Sequence, residues 1–358
     1  MRKTKRCVGM AMMAALLCTF ALGGCQGGEK QKTIGVSLSS KELARSLKDE
    51  EYLTADLTEM GYKVDVQFGQ GDANIQASQV ENMITNGVDG LIISPWDASS
   101  MTQVVELAHE NGIPVISYDA LILNSEYIDY YSADNLIEIG AVQGRYIIEK
   151  LGVDQGQGPF NLEIVAGDPA DSNATYFYNG AMEVLQPYID NGSLVVQSGQ
   201  IDFAVTGTPG WDGTKAQSRM DAILSTYYTD KRIDAVLCSN DGVALGVISA
   251  LKSVGYGSSD LPLPITTGQD CGIASIKSIL AGEQTMTVFK DIRVLAKNAA
   301  YMIDCLVKGE DPVIEDGTTY NNNAKDVQAM VVEPVALDAT NYQELLFDSG
   351  YYSEDILK

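Results

Sequence analysis

The stretch Ile113-Pro114-Val115-Ile116-Ser117-Tyr118-Asp119 decides the fold, because it is a short apolar run that stops at a carboxylate. It follows Asn111-Gly112, a pair typical of a turn. Its length and composition predict a buried strand of a parallel sheet. In open α/β sheets, ligands bind outside the carboxyl ends of the strands. We therefore expect Asp119 to face a ligand-binding crevice.

The segments before this strand alternate between strand and helix patterns. Gly61 and Gly87 directly follow the first two predicted helices, as is typical of a helix end. The order β-α-β-α-β-α-β predicts a doubly wound parallel sheet and therefore an α/β fold. The strands are predicted at residues 33–38, 63–68 and 90–95, and the helices at 41–60, 74–86 and 99–110.

A second block of the same kind follows, and a late strand (285–289) and a late helix (292–307) come after it. We expect the late helix to return to the first block. A chain of this length exceeds what one hydrophobic core usually serves, so two domains are predicted, and no Pro/Gly/Ser-rich linker divides them. The domains are therefore expected to be joined by several short crossings. The strands of the second block are predicted at 127–131, 160–166, 194–198, 235–239 and 265–267.

Polar residues follow several of the predicted strands. Because the carboxyl ends of parallel strands meet at one edge of a sheet, these residues and Asp119 predict one small polar ligand surrounded by carboxylates and amides. The polar positions are Asp134-Asn135, Asp171, Asn240-Asp241, Gln269-Asp270 and Lys290.

The N-terminal residues form a predicted targeting segment, in which four basic residues precede an apolar run from residue 8 to 22. The ending Leu22-Gly23-Gly24-Cys25 resembles the lipobox of bacterial lipoproteins. Residues 1–24 are therefore predicted to be a signal peptide, Cys25 the lipidated residue, and residues 25–32 a tether at the outer face of the cytoplasmic membrane or in the periplasm. A single membrane-spanning anchor is the alternative, but the run is shorter than the roughly 20 residues needed to cross a bilayer.

Composition excludes several function classes. The chain carries 48 Asp and Glu residues against 24 Lys and Arg, a formal charge of −24, so nucleic acid is not expected as a partner. Cys238, Cys271 and Cys305 lack CxxC spacing, so no disulfide scaffold and no metal site is expected. His109 is the only histidine and is predicted on a solvated helix face. Without a GxGxxG motif after residue 38 or a P-loop, neither an enzyme nor a cofactor is expected.

Several dispersed motifs carry a resemblance to a known family. The chain resembles the periplasmic sugar-binding proteins of bacterial ABC importers, which have the type I binding-protein fold, and among them the multiple-monosaccharide and xylose receptors. The resemblance runs from about residue 33 to the C-terminus. It is densest in Gln79-Val80-Glu81-Asn82-Met83-Ile84, Gly158-Pro159-Phe160-Asn161, Gly180-Ala181-Met182, Tyr227-Tyr228-Thr229-Asp230, Gly268-Gln269-Asp270 and Gly282-Glu283-Gln284.

This resemblance implies two doubly wound parallel-sheet lobes, joined by three crossings, that close over one sugar. It implies a monomeric extracytoplasmic receptor that captures a monosaccharide and delivers it to the permease and ATPase subunits of an ABC importer. The first lobe is expected to contain residues 33–119 and about 291–325. The second lobe is expected to contain about 120–290 and 326–358.

The resemblance also implies the ligand contacts, position by position. Carboxylates, amides and cations can satisfy sugar hydroxyls, and an indole can cover the apolar face of a sugar ring. Trp96 and Asn135 are two further candidates. The implied contacts are Arg45 and Asp119 from the first lobe, and Asp171, Asn173, Trp211, Asn240, Asp270 and Lys290 from the second.

Each assignment has a structural alternative. Asp241 is expected to cap the next helix instead of contacting ligand, and Asn173 could be a cap as well. The two tryptophans could be packing anchors. Lys290 could pair with Asp291 at the surface, and Arg45 could be an exposed arginine.

Two positions depart from the family, which has an aromatic residue where this chain has Ser46 and an arginine where it has Ala120. The ligand could therefore differ from a free monosaccharide. The alternative functions are a binding lipoprotein for a nucleoside, a disaccharide or a signalling ligand, and a sugar sensor for chemotaxis or a two-component system.

Overall fold

The strands predicted between residues 33 and 289 form at or near their predicted positions, although several are shorter. We describe the fold from a computed structural model, in residues 31–314 and 317–357. The predicted signal peptide and Cys25 lie outside these residues. The strands are β1 (Thr33–Leu38), β2 (Lys63–Phe68), β3 (Gly90–Ile93), β4 (Val115–Tyr118), β5 (Tyr130–Asp134), β6 (Phe160–Val165), β7 (Leu194–Val195), β8 (Ala235–Cys238), β9 (Ile265–Thr266), β10 (Met286–Phe289), β11 (Thr319–Asn321), β12 (Asp326–Val332) and β13 (Val335–Asp338).

The helices alternate with these strands for most of the chain. None of the helices in the described part is long and apolar enough to cross a membrane. The helices are α1 (Ala44–Glu59), α2 (Ala73–Thr85), α3 (Thr102–Glu110), α4 (Leu136–Leu151), α5 (Ser172–Asp190), α6 (Phe203–Thr206), α7 (Gly213–Tyr227), α8 (Asp241–Ser253), α9 (Ile273–Leu280) and α10 (Ile292–Lys308).

A seven-stranded sheet has the order β11-β12-β5-β4-β3-β1-β2 and is parallel except for the β11–β12 pair. Its central strands are buried on both faces, which explains their continuous apolar sequences. Along β3, Leu91 and Ile93 face the core under α2 and α3, whereas Ile92 faces the core under α1 and α10. The late helix α10 therefore returns to the first sheet, as predicted.

A second sheet has the order β7-β6-β8-β9 and is entirely parallel. The antiparallel pair β10–β13 continues it through a bridge between Gln269 and Val288. Helices α4 and α5 pack in one hydrophobic core against this sheet, and α7 and α8 pack in a second core against it. The expected doubly wound α/β fold is confirmed.

Two strands join a different sheet from the one expected. The strand predicted at 127–131 in the second block is β5, whose Tyr130 pairs with Ile116 of β4 in the seven-stranded sheet. Strand β12, placed in the second lobe by sequence, pairs with β5 in the same sheet. An apolar run shows that a strand forms, but it does not show which neighbour the strand pairs with. The strands beyond residue 308 were not predicted.

Candidate functional site

A cavity of about 960 Å³ opens at the carboxyl ends of strands from both sheets. Its size lies near the upper end of the range of about 300–1,000 Å³ that is typical of small-molecule sites. All eight expected ligand contacts and one of the two further candidates line this cavity: Arg45, Trp96, Asp119, Asp171, Asn173, Trp211, Asn240, Asp270 and Lys290.

A network of charged side chains forms the floor of the cavity. The guanidinium of Arg45, on the first turn of α1, lies 2.8 Å from Asp119 Oδ1 and 3.5 Å from Asp134 Oδ2. It also lies 3.7 Å from Asp270 Oδ1, at the end of a strand segment of the second sheet. Lys290 Nζ lies 2.9 Å from the same Asp270 oxygen and 3.4 Å from Asp134 Oδ2. The network therefore connects the two sheets.

The network keeps its two cations charged. Burial opposes the charge on Arg45, but Asp119 and the other carboxylates raise its pKa above the usual value. Lys290 behaves in the same way: burial and Arg45 disfavour its charge, while Asp270 and Asp134 raise its pKa. Burial disfavours the Asp270 carboxylate, yet Lys290 and Arg45 hold its pKa below the usual value. Arg45 and Lys290 thus lie buried as charged hydrogen-bond donors.

Other carboxylates of the site lie where burial dominates. Burial raises the pKa of Asp119 against the opposing effect of Arg45. It raises the pKa of Asp171 to about 7, and the nearby Asp119 carboxylate adds to this effect. These groups gain from a partner that donates hydrogen bonds, because such bonds favour the charged form of a carboxylate.

Trp211 forms the aromatic part of the wall on the side of the second sheet. Its indole Nε1 donates a hydrogen bond to Asp171 Oδ2 at 3.2 Å. The ring packs over Gly167, where a Cβ would lie 2.1 Å from the ring atom Cη2, so only glycine permits this approach. The ring centroids of Phe177 and Trp211 lie 6.4 Å apart. The tryptophan is therefore held by packing while it lines the cavity.

The cap assignments at the helix starts differ from the expectation. Asn240 caps α8 by accepting from the backbone N–H of Val243. Asp241, expected to be this cap, is buried and accepts from Gly272 N and Gln284 Nε2 instead. The residue before the first helical position accepts the capping bond, and here that residue is Asn240.

Asn173 is not a cap either, because Asp171 caps α5. Its amide Nδ2 donates to the carbonyl of Asp119 at 2.6 Å, and its Oδ1 accepts from the Tyr131 hydroxyl at 3.3 Å. Asn173 therefore links the end of β4 to the start of α5 at the cavity wall.

The surface alternatives for the two cations are wrong. Lys290 is 4% exposed, whereas its neighbour Asp291 caps α10 and pairs with Arg293. The side chain of Arg45 is 11% exposed. Both cations face inward, toward the carboxylates of the charged network.

Four non-glycine residues that line the cavity adopt a left-handed backbone conformation that residues other than glycine rarely adopt: φ is +56° at Gln70, +63° at Asp119, +55° at Trp211 and +94° at Asp270. Such conformations cost on the order of 1–3 kcal/mol and concentrate at functional sites. The clustering of such residues around one cavity is therefore typical of a functional site.

Asp49 of the charged network was missed, and Asp134 was named only among the polar strand ends and not among the expected ligand contacts. Asp134, 1% exposed, pairs with both cations. Its neighbour Asn135, the predicted candidate, lies outside the cavity and donates to the carboxylate of Glu333. Asp49 lies 3.6 Å from Arg45 Nε and accepts from the Tyr118 hydroxyl at 2.6 Å. The i,i+4 spacing of Arg45 and Asp49 on one helix was the signal that could have identified it.

The two family departures and Trp96 also line the cavity. Ser46 is buried, and its hydroxyl lies 3.4 Å from that of Ser39. Ala120 is buried beside Asp119. The Trp96 ring lies against Gly71, and its backbone N–H donates to Gln76 Oε1. Two small side chains thus stand where larger ones would fill the cavity.

Comparison with known proteins identifies the family. Residues 34–311 match the model of the periplasmic binding protein domain. The chain is 47% identical over 326 residues to the multiple sugar-binding periplasmic receptor ChvE of Rhizobium radiobacter, covering 91% of this chain and 92% of that protein. It is 34% identical over 342 residues to the D-xylose-binding periplasmic protein of Escherichia coli, covering 95% and 97%.

A solved structure agrees. An ABC transporter solute-binding protein from Clostridium phytofermentans with bound β-D-glucose superposes with a TM-score of 0.88 at 47% identity, covering 91% of this chain and 100% of that one. The fold and the polar cleft define a small-molecule receptor of the type I binding-protein class. This chain belongs to the periplasmic binding protein family, and the relatives named above are receptors and binding proteins, not enzymes.

Proposed function

We propose that this protein is an extracytoplasmic receptor that captures a monosaccharide and delivers it to an ABC importer. The observation that carries the proposal is the pairing of Arg45 and Lys290 with Asp119 and Asp270 beside Trp211 in one cleft. Glucose in the related structure and xylose in the name of a relative support a ligand of hexose or pentose size.

The chemistry of the cleft suits a neutral sugar. Each sugar hydroxyl both donates and accepts, so it can bond to a carboxylate and a cation at once. The indole of Trp211 can cover the apolar face of the ring. A site built for hydroxyls rejects analogues that lack them, because its buried polar groups are then left without partners.

The ligand is tested by calorimetry with D-glucose and D-xylose, and with a disaccharide and a nucleoside as comparison ligands. We expect binding of at least one monosaccharide. Binding of only the disaccharide or only the nucleoside would overturn the monosaccharide assignment.

We also propose that ligand closes two lobes over the cleft. The seven-stranded sheet belongs to the first lobe, now including β5 and β12, and the remaining strands belong to the second. Ligand would favour the closed form because both lobes contribute contacts. Small-angle scattering of the monomer should show compaction with saturating sugar, and an unchanged radius of gyration would contradict closure.

The lipid anchor on Cys25 is a further part of the proposal, supported by the lipobox-like ending at residues 22–25. Cys25→Ser should release the protein from the membrane fraction or block its processing. Unchanged retention of this variant would argue against the anchor.

A further inference from the structure

The C-terminal segment, residues 342–357, lies against the cavity and carries a tyrosine in a fixed orientation. Tyr351 and Tyr352 both line the cavity. The ring of Tyr351 packs edge-on against Phe289 and Tyr352, with centroids 5.0 and 4.9 Å apart. The guanidinium of Arg293 lies 5.2 Å from the Tyr351 ring centroid. Contacts on several sides therefore fix where the Tyr351 hydroxyl points.

That hydroxyl has no hydrogen-bond partner among the described residues, although Tyr351 is only 3% exposed. A buried hydroxyl without a partner is unfavourable, so such groups are normally satisfied by protein, water or ligand. Burial raises the pKa of Tyr351, and the Arg45 charge works against this rise.

A second hydroxyl without a partner lies in the same wall. Ser275, in the first turn of α9, is fully buried, lines the cavity, and makes no hydrogen bond through Oγ within the described residues. The Tyr352 hydroxyl donates to the carbonyl of Cys271 at 3.0 Å, two residues before α9. This bond holds the C-terminal segment against the start of the helix that carries Ser275.

The surroundings define what these hydroxyls can bind. Asp49, Asp119, Asp134 and Asp270 outnumber the two cations of the network, so a further anion is disfavoured there. A hydroxyl can serve as donor or acceptor, and its natural complement in a neutral ligand is another hydroxyl.

We propose that Tyr351 and Ser275 are ligand-binding residues that hydrogen-bond to hydroxyl groups of the bound sugar, so that the C-terminal segment forms part of the specificity site. This inference rests on the proposed function. It assigns a binding role to a segment for which the sequence shows no ligand motif.

Calorimetry on Tyr351→Phe and Ser275→Ala tests the inference, with D-glucose and each of its monodeoxy analogues. Each variant should bind glucose about three- to tenfold more weakly than the parent. One analogue lacks the sugar hydroxyl that bonds to the substituted side chain. The variant and the parent should bind this analogue with the same affinity. Tyr342→Phe is the matched control: it removes a hydroxyl from the same segment outside the cavity, where the ring packs against Phe347, and should leave every affinity unchanged.

The outcomes separate the inference from the function on which it rests. If the parent binds glucose and both variants bind it equally well, the inference is wrong and the proposed function stands. An equal loss for glucose and for every analogue would show that the hydroxyls shape the site without contacting the sugar, which also overturns the inference. Failure of the parent to bind any monosaccharide would overturn both.

Discussion

The cleft has two walls: the first is formed by the seven-stranded sheet and its helices, and the second by the other sheet and its helices. The two walls hold their polar groups in different ways. On the first wall, Asp49, Asp119 and Asp134 converge on one guanidinium, that of Arg45. On the second wall, Asp171 and Asn240 each cap a helix, with a side-chain oxygen that accepts a backbone hydrogen bond. The first wall is held by charge, as are Asp270 and Lys290 of the second wall, whereas Asp171 and Asn240 are held by backbone hydrogen bonds. Changes in the charged network, including Asp270 and Lys290, should therefore affect stability as well as affinity, whereas changes to Asp171 or Asn240 should cost no more stability than a helix cap, about 0.5–2 kcal/mol.

The largest effect is expected for Arg45→Ala. It leaves several buried carboxylates facing Lys290 alone, and breaking a buried ion-pair network costs about 3–5 kcal/mol. Urea denaturation at neutral pH measures the loss. Arg145→Ala, which removes a half-exposed arginine paired with Glu138, is the control and should cost less than about 1 kcal/mol. Equal stability of the two variants would refute the view that charge holds the first wall.

Loss of a carboxylate from either wall should weaken sugar binding. Asp119→Ala and Asp270→Ala each remove a charge-assisted hydrogen bond of about 1.5–3 kcal/mol, or roughly ten- to a hundredfold in Kd. Of these two carboxylates, Asp270 is the one that pairs with both cations, so its loss should also lower the melting temperature more. Calorimetry and thermal unfolding give both quantities. If both variants bind like the parent, the cleft is not the sugar site.

Substitution of the two tryptophans tests which wall covers the face of the sugar ring. Trp211→Ala should weaken sugar binding about threefold to tenfold, and Trp211→Phe should recover part of the loss, because an aromatic face remains. Trp96→Ala should have the smaller effect, since its ring packs on Gly71. Calorimetry with the best-bound sugar decides. A larger loss for Trp96→Ala would place the stacking surface on the first wall.

Stability should fall as pH rises in the ligand-free protein. Burial raises the pKa of Asp49, Asp171 and Asp241 to about 7 in the folded state. The folded state therefore holds protons that the unfolded chain releases, so this contribution is present below about pH 4 and is lost as pH rises through about 7.

Asp270, whose pKa is lowered, acts in the opposite direction and at lower pH. The melting temperature should drop between about pH 4.5 and about pH 7.5. In Asp49→Asn this drop should be smaller than in the parent by about 2–4 °C. A melting temperature that is flat or rises with pH in the parent would contradict the prediction.

The smallest effect is expected for Asn135→Ala. This residue does not line the cavity and donates to Glu333, so the Kd for sugar should stay within about twofold of the parent value. A clear loss of affinity would mean that the cavity extends beyond the residues that line it here.

Much of the fold followed from local pattern. β1 and β2 lie where they were predicted, because apolar and polar residues alternate in both segments between turn signals, a pattern typical of strands. The sheet to which β5 and β12 belong did not follow from local pattern. The pairing of a strand depends on contacts with segments far away in the sequence, and no local signal shows them.

The candidate site divides along the same line. Asp119, Asp171, Asn240, Asp270 and Lys290 follow predicted strands, so the sequence by itself determined that each would lie at the carboxyl edge of its own sheet. Only the tertiary structure decided that Asp134 and not Asn135 joins the network, that Asn240 and not Asp241 caps α8, and that the hydroxyls of Ser275 and Tyr351 lie buried without partners among the described residues. The direction of a side chain and the pairing of its polar atoms depend on packing between segments far apart in the chain. Local sequence fixes where a strand ends, whereas burial by distant segments sets which of two adjacent polar residues faces the ligand.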